Sequence, residues 1–138
     1  MNKVHFSSKN NEWETPPEIF DPLNEEFHFT LDPCATKATA KCSKFYTWEQ
    51  DGLIKDWYGE TVFVNPPYGN LIGKWVEKCF KESKKANTKI VALLPSRTDT
   101  RWFHGFIYGK AEIRFIKGRI RFVGAPYPAP FPSMIVVW

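Results

Sequence analysis

The sequence predicts an α/β fold of three layers built on a largely parallel sheet, and three observations carry that prediction. Short apolar, β-branched runs stop abruptly at Asp, Asn or Pro. Amphipathic helical segments lie between them, as a sheet covered by helices requires. The 138 residues contain no internal repeat and no inter-domain linker, so one domain is expected.

The elements follow in order. Residues 1–12 are polar and aperiodic and are expected to form a flexible tail. Thr15 before Pro16-Pro17-Glu18 reads as a helix start: a hydroxyl N-cap, proline in the first turn and an acid near the positive helix end. Ile19, Phe20 and Leu23 share a face, and Pro22 is expected to confine this helix to a turn or two. Phe27 to Leu31 predicts a strand ending at Asp32, and Lys44 to Trp48 a short second one. Asp51-Gly52 opens a turn, and Glu60 to Val64 is a buried strand that stops at Asn65.

Leu71 to Lys85 is the clearest helix, with Ile72, Trp75, Val76, Cys79 and Phe80 at helical spacing. Lys89 to Leu94 is a fully buried strand stopped by Pro95. Trp102 to Tyr108 reads as a short helix capped by Gly109. Residues 111–116 and 119–123 flank Lys117-Gly118 and predict a hairpin. Pro132 to Trp138 closes the chain as a strand.

Composition narrows the function classes. No stretch approaches the ~18 apolar residues of a membrane span, and the N-terminus lacks a signal-peptide pattern. A soluble, intracellular chain is expected. Three cysteines and three scattered histidines give no metal-ligand spacing, so no metal site is expected and the thiols should be reduced. Aromatic residues make up 17%, with six Trp, more rings than a small core needs, which places some on a binding face. Charge is divided: residues 1–60 hold 6 Lys+Arg against 11 Asp+Glu, and residues 61–138 hold 13 against 4. A polyanion is expected to approach the second half, although Lys74, Lys78, Lys81, Lys84 and Lys85 also fit the solvated face of one helix.

The most informative stretch is Asn65-Pro66-Pro67-Tyr68, directly after a strand. Two prolines remove two backbone donors and end the ladder. The Asn65 side chain, the Pro66 carbonyl and the Tyr68 ring then converge on one point. That set suits a planar base with an exocyclic amine, offering two acceptors for two hydrogens and a ring for stacking.

Here the chain resembles phage-type DNA N-6-adenine methyltransferases, a Dam-like branch of the amino-methyltransferases whose catalytic motif is Asn-Pro-Pro-Tyr. Further segments occur in that family's order, from about Glu12 to Trp138: Trp13-Glu14-Thr15-Pro16-Pro17, Phe20-Asp21, Leu23-Asn24, Leu31-Asp32-Pro33-Cys34-Ala35, Ala40-Lys41-Cys42, Asp51-Gly52-Leu53, Leu94 to Asp99, Trp102-Phe103-His104, Glu112 to Phe115 and Pro130 to Met134. The resemblance implies a single minimal methyltransferase domain over residues 1–138, a Rossmann-like sheet with an antiparallel strand near the C-terminus, and action in the cytoplasm of a bacterial host cell.

It also implies S-adenosylmethionine as cofactor and DNA as substrate. Asp32 then faces the cationic methionine end, with Pro33, Cys34 and Ala35 standing where many methyltransferases carry glycines; a turn residue is the alternative reading of Asp32. Thr15 and Pro16 match a segment that packs against the cofactor, alongside their helix-start reading. Asp51 matches an acidic position near its adenine or ribose and also suits a turn before Gly52. Asn65, Pro66, Pro67 and Tyr68 are the catalytic set. A target base inside a duplex must leave the stack, which calls for a positive groove; Arg97, Arg101, Arg114, Arg119 and Arg121 are the candidates, with residues 124–131 as a wall or wedge. Arg97 also suits a local turn, paired with Asp99.

Two other readings stay open: methylation of cytosine's amine or of RNA adenine, and a catalytically silent nucleic-acid-binding module. No segment is long enough to form an obvious target-recognition domain. Recognition then rests on the hairpin and the loop after it, or on a homo-oligomer or an additional subunit.

Overall fold

The computed structural model describes residues 13–138; the expected tail, residues 1–12, lies outside them. Helix α1 spans Pro17–Phe27, α2 Ile72–Ser83 and α3 Arg101–Phe106. The strands are β1 Leu31–Asp32, β2 Lys44–Phe45, β3 Thr61–Val64, β4 Lys89–Pro95, β5 Glu112–Phe115 and β6 Ser133–Val137, with a 3-10 turn at Gly52–Ile54. They form one six-stranded mixed sheet in the order β2-β1-β3-β4-β6-β5. The pairs among β2, β1, β3 and β4 are parallel. Strand β6 runs antiparallel to both of its neighbours.

Alternation along the strands divides the core between the two faces. Val62, Val64, Ile90, Ala92, Leu94, Met134 and Val136 pack with Trp75 and Val76 of α2 and Trp102 and Phe103 of α3. Phe63, Val91, Leu93, Ile135 and Val137 pack with Phe20 and Leu23 of α1. Residues Ile90 to Leu94 are buried on both faces, which is why β4 reads as an unbroken apolar run. Each such side chain contributes about 1.5–3 kcal/mol by leaving water.

The sheet order creates a switch point. From β1 the chain moves outward to β2, then returns to place β3 on the other side of β1 and moves on to β4. The carboxyl ends of β1 and β3 are therefore neighbours with connections leaving in opposite directions, the place where such sheets open a crevice.

Several sequence expectations change. Helix α1 runs unbroken through Pro22 for 11 residues. Pro22 and Glu18, whose carbonyl loses its partner, are both exposed, so the missing bond leaves no polar group sealed from solvent. The helix is capped by Pro16 without any side-chain cap, so Thr15 is not the N-cap. The strand expected from Phe27 shrinks to Leu31–Asp32, because His28 ends α1 in the left-handed region with its N–H on the Asn24 carbonyl at 2.8 Å.

The expected hairpin is absent. Strand β5 pairs with β6, with Ile113 opposite Val136, and residues 119–123 form no ladder. Their alternation survives: Ile120 and Phe122 are buried in the α1 side of the core while Arg119 and Arg121 are exposed. Strand β6, buried along its whole length, offers β5 far more apolar area. Among the described residues no helix is long and apolar enough to cross a membrane, and no disulfide links Cys34, Cys42 and Cys79.

Candidate active site

A cleft of about 880 Å³ opens at the switch point, a size suited to a cofactor. It gathers Thr15, Asp32, Pro33, Cys34, Ala35, Asp51, Asn65 and Pro67 from four separate stretches of chain. Pro16 stands outside it and lines a shallow groove with Arg121 and Gly124.

On the β1 side, Asp32 is 4% exposed. One carboxylate oxygen accepts the Cys34 N–H at 3.3 Å and the other the Lys41 N–H at 3.0 Å. The side chain thus clamps the loop between residues 33 and 43 while each oxygen keeps a second lone pair. Burial pushes its carboxyl up to about 6, against the pull of those two backbone donors. Asp51 adopts a left-handed backbone (φ 55°) and accepts the Leu53 N–H at 3.1 Å, so the turn reading holds and the residue still lines the cleft.

Gly52 is the piece that sequence reasoning missed. A Cβ there would sit 2.1 Å from the Pro33 carbonyl oxygen, so only glycine lets these two cleft loops touch. The buried Trp57 indole locks the contact by donating to the Gly52 carbonyl at 3.1 Å. Other unforeseen members include charged and aromatic side chains: Glu14, Glu49 and Trp48 join the wall, as do Lys41 and Lys74. Trp48 is 65% exposed, an uneconomical place for an indole unless something stacks there. With Asp32 and Asp51 counted, the wall carries four acids against two lysines.

On the β3 side, both hydrogens of the Asn65 amide are used. They go to the Trp13 carbonyl and to Thr15 Oγ1, the latter at 2.9 Å. A carbonyl can only accept, so the amide nitrogen must face Trp13 and the oxygen must face away. That oxygen is buried and has no partner. An orphaned buried acceptor costs about 1–3 kcal/mol, a cost that an incoming donor would relieve. Among the described residues no donor reaches the Pro66 carbonyl either.

Tyr68 is 8% exposed and its hydroxyl is buried without a partner. Burial drives the phenol well above its ordinary range, so it stays neutral. Phe131, on the loop before β6, meets the Tyr68 ring edge-on at 5.3 Å and the Trp13 ring at 5.8 Å. Trp13 also packs against Phe122 at 5.4 Å. An aromatic box therefore lies beside the Asn65 amide.

The arginines divide. Arg97 and Arg101 are exposed just past the carboxyl end of β4, beside β3. Arg97 forms no ion pair with Asp99. Arg119 and Arg121 are exposed on a segment tied to the cleft wall through the Val123 N–H, which donates to the Glu14 carbonyl at 3.0 Å. Arg114 is committed elsewhere: its guanidinium makes a two-pronged pair with Glu26 at 2.7 and 2.8 Å and reaches Glu112 at 2.6 Å. The helix lysines are likewise largely paired, Lys78 and Lys85 with Glu82 and Lys81 with Glu77.

Switch-point cleft, unpartnered amide oxygen and aromatic box lie at the carboxyl ends of β1 and β3. The chain belongs to the DNA N-6-adenine-methyltransferase (Dam) family, whose model matches residues 4–131. It is 34% identical over 114 residues to a DNA N-6-adenine-methyltransferase of Haemophilus phage HP1, covering 80% of this chain and 65% of the relative. It is 34% identical over 108 residues to a DNA N-6-adenine-methyltransferase of Escherichia phage T1, covering 76% of this chain and 44% of the relative. A putative methyltransferase of Escherichia coli K12, YfdM, is 37% identical over 65 residues, 42% of this chain and 71% of that protein. The chain thus spans just under two thirds of one phage relative and less than half of the other.

Proposed function

We propose that this chain methylates the exocyclic amine of adenine in DNA, using S-adenosylmethionine as donor. The observation that carries the reading is the Asn65 oxygen: buried, unpartnered and fixed in direction by two bonds on the amide nitrogen. It is the acceptor that a base amine needs. Family membership and the names of the two phage relatives support the same chemistry.

The cleft fits the cofactor on three counts. Its volume suits a nucleoside-sized molecule, and its excess of acids suits a cation. The wall at Pro33-Cys34-Ala35 is made of compact side chains that leave room where a glycine loop would otherwise stand. Asp32 would face the cationic end and Asp51 the nucleoside end. When bound, S-adenosylmethionine supplies an electrophilic methyl group on a sulfonium.

The protein's own part is to make a poor nucleophile better. An exocyclic amine shares its lone pair with the ring. The Asn65 oxygen and the Pro66 carbonyl each accept one of its hydrogens, which favours a tetrahedral nitrogen and stabilises the positive charge growing on it. Acceptors already in place at the start of the reaction act mainly on the transition state. Tyr68 and Phe131 hold the base plane, so the amine is presented in one orientation. The arginines outside ion pairs, Arg97, Arg101, Arg119 and Arg121, the last with its Nε on the Ala125 carbonyl at 3.0 Å, contact phosphates while the base is out of the stack.

In this reading the sheet with helices on both faces is a three-layer, Rossmann-like methyltransferase core, and residues 1–138 act as one minimal domain. The test is transfer of a radiolabelled methyl group to duplex DNA, followed by mass spectrometry of the nucleosides. N6-methyladenine is the expected product. N4-methylcytosine, or no transfer while the cofactor binds, would overturn the assignment.

A further inference from the structure

We infer that Thr15 is a positioning residue for the catalytic amide, acting through Asn65; this rests on the reading of Asn65 given above. Thr15 is 1% exposed, and its hydroxyl accepts one Asn65 amide hydrogen at 2.9 Å. The Trp13 carbonyl accepts the other. A primary amide has two N–H donors and no more, so a segment some fifty residues earlier in the chain determines its rotation completely. Of all the polar atoms on the Asn65 side chain, only the oxygen is left over.

The helix-cap alternative is excluded for this hydroxyl, since Pro16 caps α1 without any side-chain bond. The backbone on either side of Thr15 is anchored independently. Glu14 pairs with Lys41 at 3.2 Å and its carbonyl accepts from Val123 at 3.0 Å, while the Pro16 carbonyl accepts the Phe20 N–H at 3.1 Å. Removing the hydroxyl therefore leaves the segment docked and frees only the amide. With one partner missing, the amide rocks about its last bond, the oxygen leaves the line of the target amine, and turnover falls while binding persists.

Thr15→Val keeps the shape and deletes the hydroxyl; Thr15→Ser keeps the hydroxyl. Turnover on duplex DNA should fall roughly tenfold in Thr15→Val, the scale of one lost hydrogen bond in a positioned group. KM for DNA and cofactor affinity by calorimetry should stay within about twofold. Thr15→Ser should recover most of the loss. In an Asn65→Ala background, Thr15→Val should add no further loss, because the group it positions is already gone.

Wild-type turnover in Thr15→Val, or full additivity with Asn65→Ala, would overturn the inference. So would a loss confined to cofactor affinity. If Asn65→Ala itself keeps wild-type turnover, the reading of Asn65 fails first and this inference falls with it, a result distinguishable from the others. Should Thr15→Val fail a thermal-unfolding check, Thr15→Ala against Thr15→Ser supplies the same comparison.

Discussion

Asp32 at the end of β1 and Asn65 just past β3 occupy neighbouring strand ends, yet their polar atoms are engaged in opposite ways. Both Asp32 oxygens hold backbone N–H groups of their own loop. Asn65 has its nitrogen fully bound and its oxygen bare. The first residue builds a wall and shapes a cleft; the second, on the proposed function, keeps an atom in reserve for a substrate. One switch point thus separates holding from reacting, and mutations on the two sides should separate binding from turnover.

The largest expected effect is on the reacting side. Asn65→Ala should lose about 2–4 kcal/mol of transition-state stabilisation, the scale of one missing preorganised partner. Steady-state turnover should drop roughly 30- to 1,000-fold with cofactor affinity nearly unchanged. A matching loss in cofactor affinity would erase the division between the strand ends. On the holding side, Gly52→Ala pushes a methyl group into the Pro33 carbonyl. Overpacking of this kind costs about 1–3 kcal/mol, to be read as a lower unfolding midpoint together with weakened cofactor binding.

Acidity sharpens the contrast. Burial raises the Asp32 carboxyl from 3.8 to about 6 in the folded chain. The folded state therefore holds this proton more tightly than the unfolded state. The stability contributed by the protonated acid is complete below pH ~4 and is lost as pH rises through ~6. Cofactor binding should run the other way, since an ionised Asp32 attracts a cation: affinity should climb between pH 5 and 7. Calorimetry across that window, with Asp32→Ala as the flat and weaker reference, checks the sign. Affinity that falls with rising pH would remove Asp32 from the cofactor.

The smallest effect lies outside the cleft. Arg119→Ala and Arg121→Ala should each lower the slope of log DNA affinity against log salt by roughly one and leave cofactor affinity intact. Arg114→Ala, whose guanidinium is held by Glu26 and Glu112, should leave that slope unchanged. Equal slopes for all three variants would mean that exposure and pairing do not distinguish DNA-facing arginines here.

What the sequence disclosed depended on distance along the chain. The stop after β3 was legible because Pro66 and Pro67 cannot continue a ladder, and the span of α2 because its apolar positions repeat every three or four residues. The in-and-out alternation at Ile120 and Phe122 was also legible. Its consequence was not, because β5 chose between two partners, and the winner lay beyond a proline-rich loop at residues 124–132. Pro22 suggested a break that its exposed position makes harmless. The Thr15 hydroxyl was visible as a helix-start residue, while its real partner stands fifty residues away. The need for glycine at position 52 exists only because the Pro33 carbonyl arrives there. Local chemistry can be read from neighbours; closure between distant loops requires the fold.

The brace on Asn65 also sets the order in which the site comes into being. Trp13 and Thr15 leave the ribosome first, but their partner is made some fifty residues later, and the Glu14 carbonyl waits for Val123. Such distant closures are the slow events of folding. A nascent or partly folded chain can therefore carry the whole Asn65 to Tyr68 tetrad without an aligned acceptor. On the proposed function, the acceptor is aligned only once the chain through Val123 has docked against Glu14, so folding itself would guard against premature methyl transfer.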